Sequence, residues 1–68
     1  MITLMVNGAP RDLPTDSTIA GLLGSLGLDP RLVVVEHNRE ILRDRNAYPS
    51  LYLSEGDVVE IVHFVGGG

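Results

Sequence analysis

The most strand-like part of the sequence, residues 58–65, passes directly into three consecutive glycines, Gly66, Gly67 and Gly68. Its valine and isoleucine side chains favour a strand because branched side chains pack well on a pleated surface. Glycine has no side chain and accepts almost any backbone dihedral angles. The pattern therefore predicts a sheet strand that continues as a thin thread, narrow enough for a channel that any side chain would block.

A second strongly apolar strand is predicted at residues 2–6, where Ile, Leu and Val alternate with Thr and Met. Asn7-Gly8 is a strong hairpin signal, and a short strand at residues 11–13 is expected to pair back before Pro14 stops it. Because the first and last strands are both apolar, we expect them side by side in the sheet centre. The long connection between them permits a parallel pairing.

One amphipathic helix is predicted between these strands. Its apolar residues fall at i, i+3, i+4 and i+7 and form one stripe: Ile19, Leu22, Leu23 and Leu26. Residues 16–18, Asp-Ser-Thr, offer side-chain oxygens for an N-cap. Gly27 stands where a left-handed residue commonly follows a helix. The sequence therefore predicts a helix of two to three turns.

Further short strands are predicted at residues 32–35 and 41–42, with a tight turn at Asn38 between them. Residues 43–50 indicate a loop or a 3₁₀ turn, and residues 54–57 a turn before the last strand. The order is β-β-α-β-β-β, with one helix covering one face of a mixed sheet. We expect one core of nine apolar residues: Leu4, Ile19, Leu22, Leu23, Leu26, Val33, Val35, Val59 and Ile61.

Length and composition argue against several classes of function. A chain of 68 residues forms one small domain that buries about 60% of its unfolded surface, which leaves no room for a deep catalytic cleft. Nine acidic residues against five arginines argue against nucleic-acid binding, which needs a basic surface. No apolar run approaches the ~18 residues of a membrane span, and no export signal precedes the domain. We expect a cytoplasmic protein that is not an enzyme.

Four stretches of the sequence together resemble the ThiS family of sulfur carrier proteins in thiamin biosynthesis. They are the first strand with Asn7-Gly8, the helix start at 18–23, residues 35–42, and residues 55–62 running into the glycines. The resemblance implies an α+β, ubiquitin-like β-grasp fold, in which a small mixed sheet of four to five strands packs on one main helix. It implies a β-grasp domain over 1–65 and a flexible glycine tail over 66–68. Arg39 departs from the family, whose members often carry glycine there.

The resemblance implies that the chemistry resides in the carboxylate of Gly68, with Gly66 and Gly67 entering the partner's active site. A ThiF-like adenylating enzyme would activate the carboxylate with its own ATP and Mg²⁺, and the carrier itself would bind no cofactor. A persulfide from a cysteine desulfurase or similar donor would displace AMP and leave a C-terminal thiocarboxylate. Thiazole synthase would then receive the sulfur.

A docking surface for these partners is predicted on the last strand. Val59 and Ile61 are expected to face the helix, so the residues that alternate with them point the other way. Together with one residue of the neighbouring strand they form the predicted docking patch: Val34, Glu60, Val62 and Phe64. Phe64, the only phenylalanine, is the expected anchor. Scattered exposed apolar residues are also ordinary on protein surfaces.

Several alternatives stay open. A small molybdopterin synthase subunit has a similar tail, and a ubiquitin-like modifier would join Gly68 to lysines of target proteins. A plain β-grasp interaction domain would carry an inert glycine linker. His37 and His63 are the only imidazoles, and without cysteine no metal site is expected. His37 is expected to lie partly buried at a strand end, and the free protein to be a monomer.

Overall fold

The computed structural model of the protein describes residues 1–64. The last strand, predicted to run through Val65, ends at His63, so the prediction is wrong at Phe64. The predicted strand position of Val65, the domain end at residue 65 and the predicted flexible tail at 66–68 lie outside the described residues.

Within residues 1–64 the chain forms five strands, one α-helix and two 3₁₀ helices. In chain order they are β1 Ile2–Val6, β2 Ala9–Leu13, α1 Ile19–Ser25, a 3₁₀ helix at Pro30–Leu32, β3 Val33–His37, β4 Glu40–Leu42, a second 3₁₀ helix at Arg45–Ser50, and β5 Val58–His63. The strand order in the sheet is β2-β1-β5-β3-β4. The central strands β1 and β5 run parallel and the other neighbours run antiparallel. The mixed β-grasp sheet with a central parallel pair is therefore confirmed.

Two hairpins set the register of the two edge strands, β2 and β4. Asn7 and Gly8 both have positive φ, 50° and 82°, and Val6 pairs with Ala9 directly across this two-residue turn. Positive φ at both central residues is typical of the type I′ turn, whose twist matches that of the strands. As a result β2 begins at Ala9, two residues before the predicted start. Asn38 and Arg39 form the equivalent turn between β3 and β4, with φ of 50° and 72°.

The helix begins and ends as the sequence predicts. Thr18 is the N-cap, and its Oγ1 accepts a hydrogen bond of 3.0 Å from the amide of Gly21. Gly27 has a φ of 70°, and the amide of Leu28 donates to the carbonyl of Leu23 at 2.9 Å. This six-to-one bond satisfies a carbonyl that the helix itself leaves free. The helix spans seven residues, so Leu26 falls at the C-cap and is only half-buried.

The core lies between α1 and one face of the sheet. Eight of the nine predicted core residues are buried, and Leu26 packs against them from the edge. The structure adds four buried residues that the prediction omitted: Val6, Leu13, Tyr48 and Leu53. Tyr48 is 2% exposed, and its hydroxyl donates to the carbonyl of Leu42 at 3.3 Å. The polar segment before β5 thus contributes a large side chain to the core.

No helix within residues 1–64 is long and apolar enough to cross a membrane.

Candidate functional site

The sheet face opposite the helix carries three residues of the predicted docking patch, and the fourth, Phe64, follows directly after the end of β5. Side chains alternate along β5, so Val59 and Ile61 are buried while Glu60 and Val62 are exposed. Val34 of β3 is half-buried and lies directly opposite Val62 in the antiparallel ladder. Val62 is 62% exposed and Phe64 is 59% exposed. The structure therefore brings Val34, Glu60 and Val62 onto one open surface, and Phe64 is exposed directly beyond the end of β5.

Other exposed apolar side chains widen this surface. Met5 of β1 lies beside Val58 of β5, and Ile41 of β4 lies opposite Glu36 of β3. Met5, Val58 and Ile41 are each exposed by more than a third. The sequence analysis omitted these residues, although Met5 was correctly placed on the strand face away from Leu4. An apolar surface that extends over four strands is typical of a face that contacts another protein.

A pair of acidic residues interrupts the apolar surface. Glu36 and Glu60 are direct partners in the ladder between β3 and β5. Among the described residues the ion pairs are Arg31 with Asp29 and, when the imidazole is protonated, His37 with Asp57, so neither glutamate takes part in one. Two unpaired carboxylates side by side give this part of the face a local negative potential, which favours a partner that presents a basic group.

Phe64 is held at the end of β5 by two further segments. Its amide donates to the carbonyl of Leu32 at 2.9 Å, and its ring lies 5.8 Å from the guanidinium carbon of Arg45. Arg45 donates from Nε to the carbonyl of Pro30 at 2.7 Å and from Nη2 to the carbonyl of Val33 at 3.2 Å. No local sequence pattern indicates a role for this arginine, because its contacts are to residues 12 or more positions away along the chain.

A shallow groove of about 310 Å³ adjoins the docking patch. Its lining combines apolar and basic side chains: Val34, Ile41, Leu42, Arg43 and Arg45. The arrangement can receive an apolar or acidic side chain of a partner.

His37 belongs to a hydrogen-bonded cluster at the opposite end of the sheet. Its Nε2 lies 2.8 Å from Oδ2 of Asp57, which also accepts from the amide of Ser54, while Asn38 Nδ2 donates to Oδ1. Partial burial acts to raise the pKa of Asp57, but the hydrogen bonds from His37, Asn38 and Ser54 outweigh it and hold the pKa below its usual value. Asn38 Oδ1 also accepts from the amide of Val58. The cluster joins the β3–β4 turn to the start of β5.

The prediction that His37 is a partly buried strand-end histidine is confirmed. His63 is exposed at the end of β5. In the part of the chain that the structure describes, no three histidine or acidic side chains are grouped as a metal ion would require.

A five-strand mixed sheet that packs on one helix, with an open face on its central strands, defines a ubiquitin-like β-grasp protein. The sequence model of the ThiS family matches residues 4–68, and the chain belongs to that family. The resemblance inferred from the sequence motifs is therefore confirmed.

A solved structure and a carrier protein support the assignment. The crystal structure of the thiamine biosynthesis protein (ThiS) from Geobacter metallireducens is 34% identical, with a TM-score of 0.83, and the match covers 98% of this chain and all of that chain. The sulfur carrier protein ThiS of Bacillus subtilis is 44% identical over 66 residues, which cover 96% of this chain and 98% of that protein.

Two larger proteins also contain a region similar to this chain. The thiazole synthase of Paramagnetospirillum magneticum is 43% identical over 65 residues, and that of Magnetococcus marinus is 41% identical over 63 residues. The matches cover 96% and 93% of this chain. The chain spans about a fifth of the length of these two relatives.

Proposed function

We propose that this protein is a sulfur carrier for thiazole formation in thiamin biosynthesis, and that sulfur is attached at the carboxylate of Gly68. The observation that carries the proposal is the family match, which extends through the three glycines to residue 68. The glycines thus belong to the family's own sequence pattern, which an unrelated linker would not explain. Membership of the ThiS family and the likeness to the Bacillus subtilis carrier support the same function.

The proposed reaction begins at a partner enzyme of the ThiF-like adenylating class in the cytoplasm. There an oxygen of the Gly68 carboxylate attacks the α-phosphorus of Mg²⁺-bound ATP, and pyrophosphate leaves. The resulting acyl adenylate has AMP as a good leaving group, which the free carboxylate lacks. A persulfide sulfur from a cysteine desulfurase or similar donor attacks the acyl carbon and displaces AMP. A thiol then cleaves the S–S bond of the acyl disulfide and leaves the thiocarboxylate on the carrier.

The folded domain contributes geometry and a docking surface to this cycle. The carrier acts as a protein co-substrate, and the catalytic side chains belong to its partners. β5 is hydrogen-bonded on both sides, by β1 and β3, so the strand that leads to the glycines is held in the sheet centre. The open face with Val62 adjoins the same strand end, and the exposed Phe64 follows it. Docking of this face can supply the free energy that orders Gly66 and Gly67 in a partner's channel.

Thiazole synthase is the proposed sulfur acceptor. Two proteins named thiazole synthase contain a region that is more than 40% identical to this chain. A carrier-like region within such proteins supports a functional association between carrier and synthase. The same observation favours thiamin biosynthesis over molybdopterin synthesis as the pathway.

The experiment combines the protein with a ThiF-like enzyme, ATP and a persulfide donor, and follows the intact mass of the carrier. The expected product has one oxygen replaced by sulfur. A chain extended by one alanine after Gly68 and a chain lacking Gly68 are the controls, and both should remain folded but unmodified. Unchanged adenylation of the extended chain would overturn the proposal. Adducts of high molecular weight in a cell extract would support the ubiquitin-like modifier instead.

A further inference from the structure

The outer edge of β4 presents backbone hydrogen-bonding groups that no strand covers. Residues opposite each other in an antiparallel ladder alternate between pairs that exchange hydrogen bonds and pairs that do not. The amide of Asn38 donates to the carbonyl of Val58, so the backbone groups of Glu36, two positions earlier, also point toward β5. Ile41 lies opposite Glu36, and its amide and carbonyl therefore point away from β3. β4 is the last strand of the sheet, so among residues 1–64 no strand pairs with them.

The opposite edge of the sheet is protected at the equivalent position. β2 also follows a two-residue turn, and Pro10 is its second residue, as Ile41 is the second residue of β4. Proline has no amide hydrogen, and a proline on an edge strand hinders pairing with another chain. β4 has isoleucine instead, so its edge is the one on which an extended segment can add as a further strand.

Two grooves accompany the edge of β4. One, of about 310 Å³, adjoins Val34 on the open face of the sheet, and the other, of about 420 Å³, adjoins Ala47 of the second 3₁₀ helix. Both grooves are lined by the same three residues, Ile41, Leu42 and Arg43. The side chains of an added strand alternate between its two faces, so successive residues would reach the two grooves in turn.

The charges around β4 determine which segment fits. Three of the five arginines lie within residues 39–45, although the net charge of the chain is −4. Arg39 and Arg43 lie two positions to either side of Ile41, and neither belongs to an ion pair within residues 1–64. An antiparallel second copy of β4 centred on Ile41 would place Arg39 of one copy opposite Arg43 of the other, and like charges in opposite positions are destabilising. A segment with acidic residues at these positions would form favourable pairs instead.

We propose that the edge of β4 is a docking site for an extended segment of a partner protein, with acidic residues two positions before and after the residue that pairs with Ile41. The segment adds as a sixth strand and exchanges hydrogen bonds with Ile41, while its carboxylates pair with Arg39 and Arg43. The residues between them point to the groove beside the second 3₁₀ helix and are apolar, because Leu42 and Ala47 line that groove. Docking at this edge does not require the carrier chemistry proposed above.

The probe is the peptide acetyl-Glu-Val-Thr-Val-Glu-amide, which presents one carboxylate to Arg39 and one to Arg43 in either strand direction. A peptide with lysine in place of both glutamates is its control. Nuclear magnetic resonance follows the backbone amide signals of the full-length protein as peptide is added, and it detects the weak binding expected of so short a segment. The variants are Ile41→Pro, which copies the protection of the opposite edge, Pro10→Val as its matched control, and Arg43→Met.

The acidic peptide should shift the amide signals of residues 41–43 and leave those of β2 in place. Ile41→Pro should weaken its binding about 10-fold or more, because a carbonyl of the peptide loses its donor, and Pro10→Val should leave the affinity unchanged. Arg43→Met should weaken binding about 2- to 5-fold, the range that an exposed ion pair supplies. If circular dichroism shows that Ile41→Pro unfolds the domain, Arg43→Glu decides, since it should reverse the preference in favour of the lysine peptide.

Three results would overturn the inference. One is that the β4 amide signals stay in place up to the solubility limit of the acidic peptide. Another is that the lysine peptide binds the unmodified protein equally well, which would mean that the arginines do not select the segment. The third is a dimer in analytical ultracentrifugation that Ile41→Pro abolishes, which would assign the edge to a second copy of the chain. The proposed carrier function is judged separately, by the thiocarboxylate product, and these outcomes leave it unchanged.

Discussion

Glu36 lies directly opposite Glu60 in the ladder between β3 and β5, on the sheet face that the helix leaves open. Like charges in directly opposite positions destabilise a sheet. Their opposition on β3 and β5 therefore lowers the stability of the free domain, and a basic group of a docking partner would offset that loss.

Glu60→Gln should raise the free energy of unfolding by about 0.2–1 kcal/mol at low ionic strength, since it removes the repulsion. Added salt screens exposed charges, so the gain should shrink as salt is raised. Urea denaturation at two salt concentrations measures both effects. Glu40→Gln is the matched control, because Glu40 lies opposite His37 rather than another acid. An equal gain from Glu40→Gln would assign the effect to net charge alone.

Leu23→Ala should destabilise the domain by about 2–5 kcal/mol, since Leu23 is 1% exposed between helix and sheet. That is a large share of the stability of a domain of this size. Chemical denaturation provides the value. Leu32→Ala, at a position 55% exposed, should cost far less. A loss below half of one kcal/mol at Leu23, of the order expected for a surface site, would contradict the described core.

The turn at Asn38 and Arg39 offers a stabilising change. Arg39 has a φ of 72°, in the left-handed region that costs a side chain roughly 1–2 kcal/mol and glycine nothing. Arg39→Gly should therefore stabilise the domain by about 0.5–1 kcal/mol, after the larger entropy of glycine in the unfolded chain. Asn38→Gly is the control. It should destabilise, because Asn38 also bonds Val58 and Asp57. Thermal unfolding of both variants is the measurement, and a lower Tm for Arg39→Gly would be the contrary result.

Much of this fold could be predicted because its signals are local. The apolar stripe of α1, the N-cap at Thr18 and the left-handed Gly27 each depend on residues within a few positions of one another. Tyr48 was missed for the opposite reason: its burial requires a 3₁₀ helix to fold onto α1, and the surrounding sequence is polar. Arg45 was missed because its contacts join three segments that are separate in sequence.

The docking patch could likewise be predicted only in part. Strand alternation was enough to predict that Glu60 and Val62 face away from the helix. Register decides which residues of other strands accompany them. The opposition of Glu36 to Glu60 depends on how β3 pairs with β5, two strands that are distant in sequence. Whether this surface binds the proposed partners stays a prediction.

Stability should depend on Asp57 at acidic pH. The pKa of this carboxyl is lower in the folded domain than the ordinary value near 3.8. A lowered pKa stabilises the fold above the unfolded value, and this contribution is lost as the pH falls through the folded value. Unfolding free energies between neutral pH and pH ~3 should therefore decline less for Asp57→Asn than for the unchanged protein. Asp12→Asn, at an exposed position on β2, is the control. Parallel pH curves for Asp57→Asn and the unchanged protein would contradict the assignment.

Phe64→Ala should weaken binding to the proposed partners, a ThiF-like activating enzyme and thiazole synthase, by about 1–3 kcal/mol while barely changing stability. The ring is 59% exposed, so its removal leaves the core intact, yet it is the only large aromatic side chain at the end of β5. Titration calorimetry with each partner measures affinity, and thermal unfolding of the same samples measures stability. Leu32→Ala removes a comparably exposed apolar side chain from the adjoining 3₁₀ helix and should affect binding less. Unchanged affinity together with a lower melting temperature would mean that Phe64 stabilises the domain through Arg45 and Leu32 rather than anchoring a partner.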